Sequence, residues 1–495
     1  MSGATVVWLR QDLRLEDQPA LAAAAARGGP VVPLYVHAPE EEGDWPPGSA
    51  SRFWLHHSLT ALDGDLRRLG SRLVVRRGAS LPNLLDVARR TEADAIHFCA
   101  RSEPMARLRD GLVRRELEAA GLEVAAFNGH LLYEPQIVRT RAGEPFKVFT
   151  PFWNACRALG DPLPPLPAPS RLDAPPAWPV SETIAGLGLL PQPDWAEGMR
   201  FAWRPGERGA RQRLGEFQRD GLDDYAAARD RPAVAGTSRL SPHLHFGEVS
   251  PRQVFHAAQE HGGSGAGVSP PRSRGSSPSA AWLREIGWRE FAHHVLHHFP
   301  HTPEKPLRSE FDRFPWRRDP DRLAAWQRGR TGYPIVDAGM RELWKTGWMH
   351  NRVRMVVASF LVKDLLVTWQ EGAAWFWDTL VDADLANNTL NWQWSAGCGA
   401  DAAPYFRIFN PVLQGRRFDP EGEYVARFVP ELARLHPTHR HAPWLAPSRA
   451  LEEAELVLEE DYPRPIVDHE TARKRALIAF QTIRAGSRRN PTQTA

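Results

Sequence analysis

TVVWLRQDLRLEDQPALAAAAARGGPVVPLYV, residues 5–36, decides the fold of the first part of the chain. A short apolar run with β-branched residues (5–9) leads into a helical stretch from about 17 to 27, and a second short apolar run (31–36) follows. The rhythm continues outward. RLVVR (72–76), AIHFC (95–99) and LEVAAF (122–127) have strand character, and helical stretches at about 51–69, 81–90 and 104–120 separate them. Strand–helix alternation at this pitch predicts an α/β domain: a parallel sheet with helices on both faces. Such sheets bind ligands beyond the carboxyl ends of their strands. Neither GxGxxG nor GxxxxGK[ST] follows any of these runs, which argues against a Rossmann dinucleotide site and a P-loop.

The pattern changes past residue 130. Eight prolines fall between Pro162 and Pro179, the composition of a stiff spacer. From about Gly206 the apolar residues recur three and four apart, which predicts an all-helical region. The expected organisation is an α/β domain at 1–130, a Pro-rich linker at 131–205, a helical domain at 206–485 and a polar tail at 486–495. Residues 261–280, rich in Gly, Ser and Pro, are expected to form a loop within the helical part.

Composition narrows the class. The 495 residues carry 62 Lys+Arg against 59 Asp+Glu, so any nucleic-acid face must be a local basic patch. Three scattered cysteines cannot build a disulfide framework or hold a four-Cys cluster, which fits a reducing, cytoplasmic setting. No secretory or membrane-spanning pattern is found; the best apolar run, 353–369, is interrupted by Arg354, Lys363 and Asp364. The excess is in tryptophan, 19 against 7 tyrosines.

Three stretches could carry chemistry. In EFAHHVLHHFPH (290–301), His293/His297 and His294/His298 are i, i+4 pairs, but no HExxH carboxylate accompanies them. The expectation is a polar helix surface and no metal. GTSRLSPHLHFGEVSPRQ (236–253) offers hydroxyls before a helix start, with Pro242 or Pro251 suited to the first turn. A phosphate cradle and ordinary capping are equally good readings of it. The third is residues 332–369 with 381–411. There Asp382, Asp384, Asn387 and Asn388 could ligate a hard cation, cap helices, or meet the N–H and C=O groups of a heteroaromatic ring flanked by tryptophan.

WLREIGWREF (282–291), TGYPIVDAGMRELWKTGWMHNRVRM (331–355), FLVKDLL (360–366) and DLANNTLNWQWSAGCGADAAPYFRIFNP (384–411) resemble the flavin-binding half of the photolyase/cryptochrome family. VVWLRQDLRLED (6–17) resembles that family's N-terminus, and KVFTPFWNA (147–155) its interdomain segment. The resemblance implies FAD. Carried over by position, Tyr225, Thr237, Ser238, Leu240 and Ser241 would hold the phosphate side. Trp282, Glu285, Arg289, Asn351, Arg354, Asp382, Asp384 and Asn388 would surround the rest, with Arg354 and Asp382 as a buried ion pair and Asn388 facing flavin N5.

The pocket most resembles that of bacterial enzymes repairing cyclobutane pyrimidine dimers. Trp288, Met355 and Trp394 would form an apolar wall, while Glu285 and Asn351 hydrogen-bond the base edges. The (6-4) enzymes carry a His pair where this chain has Asn351 and Met355. The implied reaction is light-driven: photoexcited reduced FAD passes an electron to the dimer, the cyclobutane ring splits and the electron returns. Photolyases are among the enzymes that take their target out of the base stack. Trp392, Trp369 and Trp316 match the family's three-tryptophan electron chain. Arg352, Arg407 and Arg416, with Arg417, would give salt-dependent contacts to UV-damaged DNA. An antenna chromophore is also implied, methenyltetrahydrofolate first and a deazaflavin second. Glu103-Pro104 departs from the folate-binding Asn-Glu pair, and Trp54, His56 and His57 are candidates to line such a site. The protein is expected to act as a monomer. A cryptochrome-like blue-light photoreceptor is the alternative.

Overall fold

The computed structural model describes residues 3–261, 277–402 and 406–488. Strands β1 (Ala4–Leu9), β2 (Val31–His37), β3 (Val74–Arg77), β4 (Ala93–Cys99) and β5 (Glu123–Phe127) form one parallel sheet in the order β3-β2-β1-β4-β5. Helices α1 (Pro19–Ala26), α2 (Ser49–Arg68), α3 (Ser80–Arg90) and α4 (Pro104–Ala119) alternate with them, as the sequence predicts. Residues two apart on each strand share a face. Val6 and Trp8, Val32, Leu34 and Val36, and Ile96 and Phe98 therefore meet Leu84 and Val87 of α3 and Val113 and Leu117 of α4 in one core. On the other side, α1 packs against β1 and β4. The strand order reverses between β1 and β4, which opens a crevice beyond their carboxyl ends.

The chain divides into two compact units. The first comprises residues 1–226, 238–300 and 381–386; the second comprises 227–237, 301–380 and 387–495. In the first unit the Pro-rich stretch is a strap, not a free spacer. Leu166 and Asp173 carbonyls accept from the backbone N–H of Asp17 and Val31, Leu172 N–H donates to Leu69 and Glu182 N–H to Val75. An extended proline-rich chain satisfies none of its own backbone groups, so it takes partners from the loops and edges it crosses.

The helix Pro278–His298 in the first unit corrects the expected polar surface for the histidine run. It packs against the helices Phe149–Ala158 and Pro251–His261, and His293 and His294 are buried with Phe291 and Val295. Residues 262–276, most of the expected loop at 261–280, and 489–495 of the expected tail lie outside the described residues.

The second unit is helical. Its main elements are Pro334–Thr346, Asn351–Ser359, Trp369–Thr379, most of Leu385–Ala396, and His469–Arg488. Among the described residues, no helix is long and apolar enough to cross a membrane.

Candidate functional site

In the first unit, Tyr225 and Trp282 both pack on Phe217, at ring-centroid distances of 5.7 and 5.0 Å. Pro242 falls in the first turn of the short helix Ser241–His245 and Pro251 begins the next helix, the two positions where a missing N–H costs nothing. Leu240 is buried, Ser238 half-buried and Ser241 exposed. Between them Arg239 takes a left-handed backbone (φ 52°), an uncommon conformation for a side-chain-bearing residue and one that turns the hydroxyl-rich segment sharply.

Pro278–His298 carries the next set. Trp288 is half-buried and stacks on Phe149 at 3.8 Å with an interplanar angle of 9°. A Cβ on Gly287 would run into Trp153, so this turn lies against the helix Phe149–Ala158. Glu285, one turn earlier, is half-buried. Arg289 is buried and its Nη1 donates to the His130 carbonyl at 2.7 Å.

Asp382 and Asp384 are buried, and the Asp384 N–H donates to the Asp382 carbonyl. His293 Nε2 lies 3.4 Å and His245 Nδ1 3.9 Å from Asp384 Oδ2. Burial works against the charge on Asp384, but His293, His245 and Arg289 outweigh it and hold the carboxyl well below its usual range. An ionised buried carboxylate beside a buried guanidinium suits a cofactor bearing hydroxyls, ring N–H groups and phosphates, so the donor set fits FAD.

A cavity of about 580 Å³ opens at the carboxyl end of the sheet. Gln11 after β1, Arg101–Glu103 after β4 and His130 after β5 line it, so it occupies the crevice at the strand-order reversal. Arg101 bridges Glu42 (2.8 Å) and Glu103 (3.0 Å), and this pairing overcomes burial to hold Glu103 at about 2. Burial and the surrounding arginines keep His130 neutral, and its buried Nε2 has no hydrogen-bond partner among the described residues. Trp54 does not line this cavity. It is fully buried in α2 and donates to Glu248 at 2.9 Å. His56 and His57 are half-buried, and burial lowers both pKa values.

The second unit presents a different set. Asn351 begins the helix Asn351–Ser359, with Met355 one turn on: the first is exposed, the second half-buried. His350 caps this helix, its Nδ1 accepting from the Arg352 N–H at 3.2 Å. Arg352 is held on three sides, by Asp230 (2.7 Å), by the face of Phe418 (4.5 Å) and by Met355 Sδ (3.6 Å). Arg354 is half-buried and donates to the Met349 carbonyl. Arg407, Arg416 and Arg417 are exposed, and Thr237 is half-buried.

Asn388 is buried and its Nδ2 donates to the Ala373 carbonyl at 3.0 Å, which fixes the amide and leaves Oδ1 as the acceptor end. Trp392 and Trp369 are both nearly fully buried, while Trp316 is half-buried. The local frame links them. A Cβ on Gly372 would fall inside the Trp392 ring, so that ring lies against the first turn of the helix that Trp369 begins. Arg317 N–H donates to Leu366, three residues before Trp369. Gln393, next to Trp392, ties their helix Leu385–Ala396 to residues 302–307, donating to the Thr302 and Lys305 carbonyls and accepting from Leu307 N–H. Half-buried Trp394 follows.

Residues 5–170 match the family described as DNA photolyase, and residues 282–482 match the FAD binding domain of DNA photolyase. The deoxyribodipyrimidine photo-lyase of Agrobacterium fabrum is 48% identical over 97% of this chain and 98% of its own. The chain belongs to the photolyase/cryptochrome family. A crystal structure of a bacterial class III photolyase from Agrobacterium tumefaciens superposes with a TM-score of 0.93 at 47% identity, covering 98% of each chain. Cryptochrome-1 of Arabidopsis thaliana is 43% identical over 98% of this chain but 72% of its own. The helical part is thus an FAD-binding domain of the photolyase type, and the parallel sheet is the fold this family carries at its N-terminus.

Several residues that shape these sets gave no signal in the sequence. Asp230, His350 and Gly372 act through residues distant in the chain or through backbone, and none belongs to a spacing pattern. Ser102 and His293 are 191 residues apart and meet at 2.6 Å. Only the i, i+4 histidines hinted at any role there, and the hint pointed to metal. Among the described residues, no group of three or more His, Cys, Asp or Glu could hold a metal ion.

Proposed function

We propose that this protein is a light-driven deoxyribodipyrimidine photo-lyase that splits cyclobutane pyrimidine dimers in UV-damaged DNA. The observation that carries this reading is the state of the five residues assigned to the lesion. Glu285, Trp288, Asn351, Met355 and Trp394 are all present, and all are half-buried or exposed on helices whose other faces are packed. Side chains kept at a surface in this way can be reached by a ligand. Trp288, Met355 and Trp394 offer flat or polarizable apolar surface to the pyrimidine faces, and Glu285 and Asn351 take the row of C=O and N–H groups.

FAD, reduced and photoexcited, supplies the electron chemistry when bound. The protein's own contribution is to bind and orient. Arg289, with Asp384, faces the ring and ribityl parts, where Asp384 accepts from hydroxyl or ring N–H groups. Arg354 and Asp382 balance charge, and Asn388 accepts through Oδ1 from a protonated ring nitrogen. Tyr225, Thr237, Ser238, Leu240 and Ser241 form the phosphate side, and Trp282 lies with the residues around the rest. Trp392, Trp369 and Trp316 conduct an electron inward from the surface. Arg407 and Arg416 neutralise DNA phosphates. Arg352, held by Asp230, joins them when the phosphate competes for its guanidinium. The cavity at the sheet's carboxyl end takes an antenna chromophore, methenyltetrahydrofolate, a size of ligand that its volume accommodates. Neutral His130, with its unpartnered Nε2, is the polar group that favours a ligand there. The working division is an antenna domain at 1–130, a connecting segment at 131–205 and an FAD domain at 206–485, in a monomer of the cytoplasm.

The test is light-dependent repair. Chemically reduced protein is illuminated with blue light in the presence of a thymine-dimer oligonucleotide, against a dark control. Recovery of thymine absorbance only in light is the expected result, and Glu285→Ala lowers repair per photon several-fold while FAD stays bound. Failure to repair, with flavin bound and photoreducible, makes a blue-light receptor the better reading.

A further inference from the structure

His293 was one of four histidines expected on a polar surface, and it is the one that faces Asp384. Its neighbours on the same helix have structural tasks. His294 Nε2 accepts from the Phe146 N–H at 3.0 Å, and His298 Nε2 meets the Pro135 carbonyl at 3.0 Å. The buried His293 instead has Ser102 Oγ at 2.6 Å on Nδ1 and Asp384 Oδ2 at 3.4 Å on Nε2. Nε2 makes no hydrogen bond among the described residues, so its approach to Asp384 is a close contact between a polar ring and a carboxylate. Nδ1 either accepts from the Ser102 hydroxyl or donates to it, because a hydroxyl does both. Nδ1 keeps Ser102 as a partner in either charge state of the imidazole.

We infer that His293, steadied by Ser102, is a positioning residue that holds the Asp384 carboxylate in place for the flavin, and so ties that carboxylate to the wall of the cavity at the end of the sheet. The inference rests on the reading of Asp384 as an FAD contact. The groups facing Asp384 are His293 and Arg289 from Pro278–His298, His245 from Ser241–His245, and Glu103 ahead of α4. Asp382 precedes it on its own segment. Glu103 repels the charge; His293 is the strongest of the groups that stabilise it. Without the imidazole, burial is opposed only by His245 at 3.9 Å and by Arg289, and the carboxyl pKa rises. Ser102 and His293 both line the cavity, so a ligand there touches the same relay.

The experiment follows release of FAD from the loaded full-length protein by flavin fluorescence between pH 5 and 8. Wild type is expected to hold FAD equally across this range. His293→Leu is expected to lose affinity on the order of tenfold for each pH unit below its raised carboxyl pKa, as one proton is coupled to release. His293→Gln keeps a neutral donor to the carboxylate and is expected to fall between the two. Asp384→Asn is expected to bind FAD more weakly with no pH dependence, and adding His293→Leu to it should change nothing further. A flat profile for His293→Leu, or for His293→Gln if the leucine variant does not fold, overturns the role of His293. Wild-type affinity in Asp384→Asn at every pH would overturn the flavin reading of Asp384 instead, and the two failures are told apart by that variant.

Discussion

Trp54 and Trp392 are equally buried, and the surroundings of the two rings are opposite in kind. Trp54 gives its N–H to Glu248, which also accepts from Gly206 N–H at 2.7 Å and is closed by His243. Trp203 and His243 meet its ring edge to face, and Phe246 stacks on it. It is a lock: its N–H and the Glu248 carboxylate that receives it are both held within the same unit. Trp392 has Phe376 at 5.0 Å and Trp326 at 6.2 Å, and rests on the bare backbone of Gly372. Aromatic rings continue from it, and by its position it is proposed as a step of an electron chain. Burial alone therefore does not separate a structural tryptophan from a conducting one. The neighbours do.

Substitutions can break that contrast. The largest effect is expected from Trp392→Phe or Trp316→Phe. Photoreduction of oxidised flavin, followed by absorbance under blue light with an external reductant, should slow by about a hundredfold, the equivalent of ~2.7 kcal/mol on a barrier. Repair by chemically reduced enzyme should be spared. Photoreduction at the wild-type rate would remove the substituted ring from the chain.

Gly372→Ala sharpens the contrast from the backbone side. The added methyl collides with the Trp392 ring, and overpacking of this sort costs about 1–3 kcal/mol, read as a lower denaturant midpoint. Because the displaced ring is the one proposed to conduct, photoreduction should slow as well, by roughly tenfold. A stability loss without slower photoreduction would show that the chain tolerates a moved Trp392.

Acid tests both units at once. Burial lowers His294, in the first unit, to about 3 and His350, in the second, to about 4. Both folded values lie below the unfolded value near 6.5, so the unfolded chain takes up the protons first and stability falls with pH from 6.5 downward. At pH 5 each imidazole accounts for about 2 kcal/mol of lost stability. His350→Asn retains a capping acceptor and should flatten its share of the slope, measured as melting temperature against pH; an unchanged slope would mean that His350 is already protonated in the fold.

The smallest effect is expected from Trp54→Phe. Glu248 loses one of its donors, a cost of about 1–3 kcal/mol in denaturant unfolding. Photoreduction should not change. If it does, Trp54 is more than a lock.

The sheet was legible because each strand buries alternate residues on opposite faces, and short apolar runs between amphipathic stretches leave few other arrangements. TVVWL and AIHFC became β1 and β4 with little change in their bounds. The helical unit was legible by a different route, through long matched stretches such as WLREIGWREF and DLANNTLNWQW, because helical periodicity by itself names no chemistry. The histidine run was misread for a physical reason. Pro278–His298 is enclosed by helices distant in sequence, so its polar positions face inward along with its apolar ones. The prolines of 162–179 were read as a stiff linker, and the edges they cross turn that chain into a strap.

By itself, then, the sequence determined the order and type of the elements, the parallel sheet, the family, and the residue types available to flavin and dimer. These depend on local periodicity and on motifs carried in contiguous chain. Tertiary structure decided which polar groups are closed and which stay presented. It joined Ser102 to His293 and Asp384, set Asp230 against Arg352, and laid Trp392 on Gly372. Each of those is a meeting of residues far apart in the chain, fixed by packing and desolvation that no local spacing encodes.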